Sequence, residues 1–312
     1  MSLVPWSPHP EVWMLLLGTL ALGWYTANVL QPKALALGYT GIVRRQRLWF
    51  ALGFLGIWLA SDWPVHDIAE NYLYFVHMIQ HLLLSMLIPA CFVLATPRWL
   101  FELLVTPGSR TWRVFRRMSS PIVAGLAFNA LTLGLHWSRL VQLSADSGAL
   151  HFTLHLLIFT LGMLMWMPVI SPITEWRLQP LTQCIYLFSM SIVPTVPGGW
   201  LVFAEGVVYR HYDTPTRLWG VDVLADQQTA GAIMKLFGGF VLWAIIVVIF
   251  SRWASAEGKA NNKQRQIIDL ERIRDFDERQ ATDASEVGTD ALTFEDVTNA
   301  FAAAPAPPEP AR

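Results

Sequence analysis

Cysteine is almost absent from this 312-residue chain, and its scarcity excludes thiolate chemistry. The two cysteines, Cys91 and Cys184, each lie inside an apolar run, and neither has a second cysteine at disulfide or metal-ligand spacing. We expect both to be small core residues rather than ligands. Neither a thiolate metal site nor a disulfide scaffold is therefore predicted.

Charge is also scarce. Charged residues make up 14% of the chain against 54% hydrophobic residues, and the mean hydropathy is +0.41. This composition excludes a pair of soluble domains, offers nothing for nucleic-acid binding, and is typical of a polytopic membrane protein. Lysine and arginine are missing ahead of the first apolar run as well. That run is therefore expected to be a retained helix rather than a cleaved signal peptide.

Seven apolar stretches approach the length that a bilayer requires, which is about 20 residues in helical form. They cover residues 12–30, 48–63, 72–97, 121–137, 151–170, 181–203 and 229–253. The second stretch is short, and we expect the arginines before it to snorkel toward the headgroups. The predicted fold is all-α, a seven-transmembrane-helix bundle within residues 1–256.

The distribution of basic residues predicts how the bundle is oriented. Loops after the first, third, fifth and seventh spans carry fourteen lysines and arginines, whereas the opposite side carries only Arg139, Arg210 and Arg217. Cytoplasmic loops near the membrane are enriched in these residues. The N-terminus is therefore predicted outside and the C-terminus in the cytoplasm.

Residues 257–312 differ in kind from the bundle. Ile267, Leu270, Ile273 and Phe276 form an approximate helical stripe among mixed charges, which predicts an amphipathic helix. The proline- and alanine-rich end, APAPPEPAR, predicts disorder. We interpret the segment as a cytoplasmic tail, and its short apolar patch at 292–301 as part of that solvated tail rather than a docking segment.

Histidine is the most frequent ionisable residue of the predicted spans, and Lys235 lies in the seventh. All eight histidines fall on the predicted outer side: His9, His66, His77, His81, His136, His151, His155 and His211. Ionisable groups inside a span are costly and indicate function. Two pairs share the pattern His, three residues, His, Leu, Leu, in the third and fifth spans. Side chains four apart on a helix are about 5 to 6 Å apart at Cβ, so two imidazoles can bind one metal ion.

The two pairs predict an outward-facing metal site. The expected ligands are His77, His81, His151 and His155, with His136 and His66 as further candidates. Asp226, in the DQQTAG start of the seventh span, is either a further ligand or an N-cap, and the sequence does not separate these roles. Glu70 and Asp222 are interpreted as ordinary loop charge. An all-imidazole set leaves copper, zinc, iron and nickel open.

Several other chemistries are favoured less by the histidine pattern. A zinc-protease motif would need Glu directly after the first histidine of a pair, and Met78 and Phe152 stand there. A cytochrome b with several haems would carry ligands at two depths, whereas a single outer haem stays open. Met163, Met165 and Met167 lie toward the inner half and are expected to pack in the core. A scaffold whose histidines only hydrogen-bond between helices also stays open.

Four motifs, in order along the predicted spans, resemble the multi-span CtaG family of cytochrome c oxidase assembly factors. They are HMIQHLL followed by Pro89 and ATP, the HxxxH of the fifth span followed by MPVISP, then PTVPGGWLVF, and finally DQQTAGAIM. The resemblance covers about residues 10 to 253. It does not extend to the tail.

The resemblance implies a multi-pass protein of the bacterial plasma (inner) membrane that is not an enzyme. It implies a factor that handles copper on the outer face and meets oxidase subunits or other assembly factors within the lipid bilayer. Together with the outward histidines, it predicts binding and delivery of copper. The alternative is a membrane metalloenzyme or haem protein that uses the same histidines, with zinc or haem in place of copper.

Overall fold

A computed structural model describes residues 4–289 and 292–303, with the side chains of 284–289 excepted. The described residues form helices and connecting loops with no strand, so the all-α class is confirmed. The chain divides into two units, Met1–Ser251 and Arg252–Arg312. The predicted boundary after residue 256 lies close to that division.

The first unit is a set of helices, most of them apolar. In chain order the helices are α1 Pro10–Ala36, α2 Arg44–Ser61, α3 Val65–Asn71, α4 Tyr74–Ala95, α5 Arg98–Leu104, α6 Arg110–Met118, α7 Pro121–Leu135, α8 Ser138–Ala145, α9 Gly148–Ile170, α10 Pro180–Val202, α11 Val223–Thr289 and α12 Phe294–Ala302. The last of these belongs to the second unit, and α11 contributes to both.

Five of these helices are long and apolar enough to cross a membrane: α1, α4, α9, α10 and α11. Two bent pairs raise the number to seven if each pair is one span. The pair α2 and α3 meets at 46°, and the pair α6 and α7 at 62°. The described chain thus has five to seven candidate spans, and the count of seven and the orientation stay predictions.

The ends of several spans differ from their predicted positions. The fifth begins at Gly148 and the seventh at Val223, a few residues before the predicted starts. The first extension is the three residues 148–150, less than one turn, whereas the second, 223–228, contains three polar residues that an apolar window does not detect. The helix of the seventh span continues to Thr289. The predicted disorder of APAPPEPAR falls outside the described residues.

Helices α4 and α9 lie side by side, which the sequence left open. Pro89 has no N–H, so the carbonyl of Ser85 one turn earlier lacks its usual helical partner. Gly162 of α9 faces that carbonyl, and a Cβ at Gly162 would lie 2.2 Å from the Ser85 oxygen. One turn further, the Trp166 indole Nε1 donates to the Met86 carbonyl at 2.7 Å. The absence of a side chain at Gly162 therefore fixes the register of the two helices.

The loop between α10 and α11 packs on the histidine-bearing ends of these helices. Within it, Tyr209 and Tyr212 are buried, and their hydroxyls donate to the carbonyls of His136 at 2.9 Å and Ala69 at 3.1 Å. Burial raises the pKa of Tyr209 to about 12, and it raises the pKa of Tyr212 well above its usual value. Both phenols are therefore protonated donors that hold the loop in place.

Candidate metal centre

Three of the predicted ligands converge. His77 and His81 come from α4 and His155 from α9, and one ring nitrogen of each lies within 4.8 Å of the others. The Nε2 atoms of His81 and His155 are 3.1 Å apart. Two imidazoles about 2.0–2.1 Å from one ion at tetrahedral angles have nitrogens roughly 3.3 Å apart. The His81 and His155 nitrogens are therefore already close to the spacing of two ligands of one metal ion.

The helix register explains the convergence. The contacts of Gly162 and Trp166 hold α4 and α9 parallel, so equivalent positions of the repeated His, three residues, His pattern meet. His81 is buried, while His77 and His155 are half-buried. The Tyr74 ring stacks on His77 with centroids 5.7 Å apart. A small cavity of about 90 Å³, lined in part by Tyr212, opens onto all three histidines.

His151 stands beside the group but is bound to a carboxylate. Its ring centroid is 4.1 Å from that of His155, yet its Nε2 contacts Glu70 Oε1 and its Nδ1 lies 3.2 Å from Ser144 Oγ. The interpretation of Glu70 as ordinary loop charge is wrong. Its side chain is partly buried and lies between two histidines of different helices.

His66 is the second histidine on that carboxylate. Its Nε2 lies 3.5 Å from Glu70 Oε1, and its Nδ1 lies 3.0 Å from the Gln80 amide nitrogen. The His66 and His151 ring centroids are 6.0 Å apart. The structure thus places His66 and His151 around Glu70, next to the three-histidine group rather than within it.

The N-terminal lead supplies a further histidine that the sequence did not assign. His9 Nε2 is 2.8 Å from Asp67, its Nδ1 is 3.2 Å from Glu11, and its ring centroid is 4.9 Å from that of His66. Burial lowers the pKa of His9, but the two carboxylates outweigh this and the net pKa is raised. His9 therefore ties the start of α1 to α3.

His136 follows α7 and faces a different cavity. Its Nδ1 lies 2.6 Å from the Thr132 carbonyl, and its Nε2 is buried without a hydrogen-bond partner among the described residues. The ring is not among the converging nitrogens of the three-histidine group. His136 and His81 both line that small cavity.

Asp226 lies at the start of α4 rather than among the histidines. Its two oxygens accept from the backbone N–H groups of Tyr74 and Phe75, each at 2.9 Å, and Arg217 Nη2 is 3.8 Å away. These contacts fit the capping role, although the capped helix is α4 and not the aspartate's own. Its assignment as a metal ligand stays a prediction.

Two functional neighbours had signals that a closer pattern search could have found. His66 and Glu70 are four apart, so on a helix they share a face, as His77 and His81 do. Gln80 is a polar residue inside an apolar span and is fully buried in the structure. A buried amide needs a partner, and here that partner is His66.

The comparisons with known proteins agree with the motifs. The family model described as cytochrome c oxidase caa3 assembly factor (Caa3_CtaG) matches residues 23–256, which is most of the chain. No curated protein and no solved structure gives a significant match.

Proposed function

This chain belongs to the family of cytochrome c oxidase caa3 assembly factors, and we propose that it binds a copper ion at the three-histidine group for delivery to the oxidase. The observation that carries the proposal is the approach of His77, His81 and His155 to within 4.8 Å of one another. The family match supports the assembly role. The copper and its delivery are our inference.

The donor set favours copper among the common metals. All three ligands are imidazole nitrogens, and nitrogen sites hold divalent copper more tightly than the neighbouring first-row ions. The two cysteines are too far along the chain from the histidines to add thiolates by local spacing. Three protein ligands leave a coordination position free, so a donor or recipient can attack the ion.

Delivery requires the ion to leave the three-histidine group, and neighbouring side chains can bind the ion as it leaves. His151 and Glu70 lie one side chain away from His155, between the group and His66. Each can replace a departing ligand as the ion moves outward. We infer a non-enzymatic factor of the bacterial plasma membrane whose partners are oxidase subunits or other assembly factors.

Metal analysis of the purified protein tests this function. After loading with divalent copper, we expect roughly one ion per chain, lost in the double variant His81→Ala with His155→Ala. His211→Gln is the matched control, because His211 lies at the same end of the bundle but binds the Glu70 carbonyl through Nε2 instead. An unmodified protein without copper, or a double variant with the wild-type copper content, would overturn the proposal.

The same sample distinguishes the alternative assignments of the site. A Soret band in the absorption spectrum would identify a haem protein. Stoichiometric zinc in place of copper would favour a metalloenzyme, in which the ion activates water.

A further inference from the structure

A second cavity, of about 50 Å³, lies next to the three-histidine group and is lined by methionine. Five of the chain's ten methionines border it, and they come from four helices: Met78, Met86, Met165, Met190 and Met234. Two histidines, His81 and His136, also line this cavity and can contribute nitrogen ligands.

His136 lines this cavity and has one ring nitrogen without a hydrogen-bond partner among the described residues. The ring is 8% exposed, and Nδ1 lies 2.6 Å from the Thr132 carbonyl, which can only accept a hydrogen bond. Nδ1 therefore carries the proton and Nε2 carries a lone pair. That Nε2 is buried without a hydrogen-bond partner in the described structure. A buried acceptor left unpaired is costly, so its position requires an explanation.

Neighbours are defined for two of the five methionine sulfurs. The Asn129 amide donates to the Met190 sulfur at 3.4 Å. The Met86 sulfur lies 3.9 Å from the point where a Cβ on Gly238 would stand, and Gly238 is itself part of the wall. Lys235 also borders the cavity, but its side chain is exposed. The thioethers of five methionines and the imidazoles of His81 and His136 are thus the uncharged metal-binding groups that line the cavity.

This donor set selects a soft, monovalent ion. Thioether sulfur suits Cu(I), whereas zinc and divalent copper prefer imidazole and harder ligands. We propose that His136 Nε2 and the methionine sulfurs of this cavity form a second site, specific for Cu(I), with His81 in the wall between it and the three-histidine group. The site goes beyond the proposed function, because it holds the reduced ion within the bundle by a different ligand chemistry.

Anaerobic titration with Cu(I), combined with X-ray absorption at the copper edge, tests the site, and Ag(I) serves as a redox-inert probe. We expect sulfur neighbours around the ion in the wild-type protein. They should be lost in Met86→Leu with Met190→Leu, a change that preserves side-chain volume and is tolerated in cores. Met163→Leu is the control, since Met163 lies on α9 but lines a separate cavity of about 1030 Å³ beside α1.

His136→Gln should weaken Ag(I) binding by at least the roughly tenfold factor that even an outer-shell partner of a metal causes. If that variant does not fold, the double variant Met86→Leu with Met190→Leu still tests the site. The site is refuted by bound Cu(I) with nitrogen neighbours only, or by an unchanged sulfur signal in the methionine double variant.

One further variant distinguishes failure of the Cu(I) site from failure of the copper site at the three-histidine group. His77→Ala with His155→Ala removes two ligands of the three-histidine group. It removes no ligand of the Cu(I) site formed by His136 and the methionines. Sulfur-bound Cu(I) that survives in this variant supports the second site whatever happens to divalent copper. Loss of all sulfur neighbours in it would show instead that the thioethers do not form a site of their own.

Discussion

Helices α9 and α1 are similar in length and both are apolar, yet they are packed very differently. In the most apolar window of α9, 44% of residues are buried within the protein, against 17% in α1. Gly162 of α9 contacts a backbone carbonyl of α4, whereas a Cβ on Gly18 of α1 would meet nothing within 4 Å. Helix association inside a membrane depends on small residues and hydrogen bonds at the contact, because lipid is as apolar as leucine. Apolarity therefore locates a span but does not say whether it holds a site.

Enlarging the glycine of the packed helix should have the largest effect. Gly162→Leu cannot be accommodated, since its Cβ would lie 2.2 Å from the Ser85 carbonyl oxygen. We expect the α4 and α9 contact to open, with loss of copper binding and a fall in thermal unfolding temperature. Gly18→Leu in α1 is the matched control and should leave both unchanged. If both variants lost copper binding and stability to the same extent, the proposed difference in packing between α9 and α1 would be wrong.

Removal of the carboxylate that caps α4 should come next. Asp226→Ala leaves the backbone N–H groups of Tyr74 and Phe75 without their acceptor and removes the charge partner of Arg217 at a fully buried position, which costs about 3 kcal/mol. Asp226→Asn retains one acceptor and should cost less. Unfolding in detergent measures both. If Asp226→Asn folds normally but loses copper, the residue is a ligand and not only a cap.

The indole donor on α9 should have a smaller effect. Trp166→Phe removes the hydrogen bond to the Met86 carbonyl and leaves that carbonyl buried, at a cost of about 1–3 kcal/mol. Trp24→Phe in α1, where the side chain is 65% exposed, should change stability little. A comparable loss at both positions in thermal unfolding would contradict the prediction.

The smallest effect should follow pH at the contact between His9, which directly precedes α1, and Asp67 of α3. The pKa of His9 is raised in the folded protein, so its ion pair with Asp67 stabilises fully below the unfolded pKa of about 6.5 and is lost as pH rises through the folded pKa. The change should be at most about 1 kcal/mol, since the desolvation of His9 offsets much of its attraction to Asp67. If the His9→Gln variant lost the same stability as pH rises, the titrating group would be a residue other than His9.

Sequence patterns predicted the histidine pairs, and the structure explains why they predicted part of the site only. His77, His81 and His155 converge because the repeated spacing lies on two parallel helices in register. His151 has the same spacing but is drawn to Glu70, a carboxylate on a short helix whose bend no periodicity reveals. Pairing between distant segments decides such contacts, and a pattern within one helix does not contain it.

The methionines show the same limit. Met163 and Met165 are two residues apart, so their side chains leave α9 in different directions. Core packing was predicted for both and is confirmed, since Met165 is buried in the core and Met163 packs against it. Met165 also borders the methionine-lined cavity, whereas Met163 borders the large one beside α1. Which cavity each side chain meets depends on four other helices. Asp226 is similar, because the helix that it caps begins more than 150 positions earlier in the chain.

The Gln80 side chain can change the proton arrangement of His66 without any movement of the backbone. Its amide nitrogen contacts His66 Nδ1, and its Oε1 is buried without a partner in the described structure. The two ends of a carboxamide have nearly the same shape, so a half-turn of the amide exchanges a donor for an acceptor. In one rotamer His66 Nδ1 accepts, and Nε2 offers a proton to Glu70; in the other Nδ1 donates, and Nε2 offers a lone pair. A rotation of one side chain thus converts His66 from a hydrogen-bonding neighbour into a nitrogen able to receive an ion.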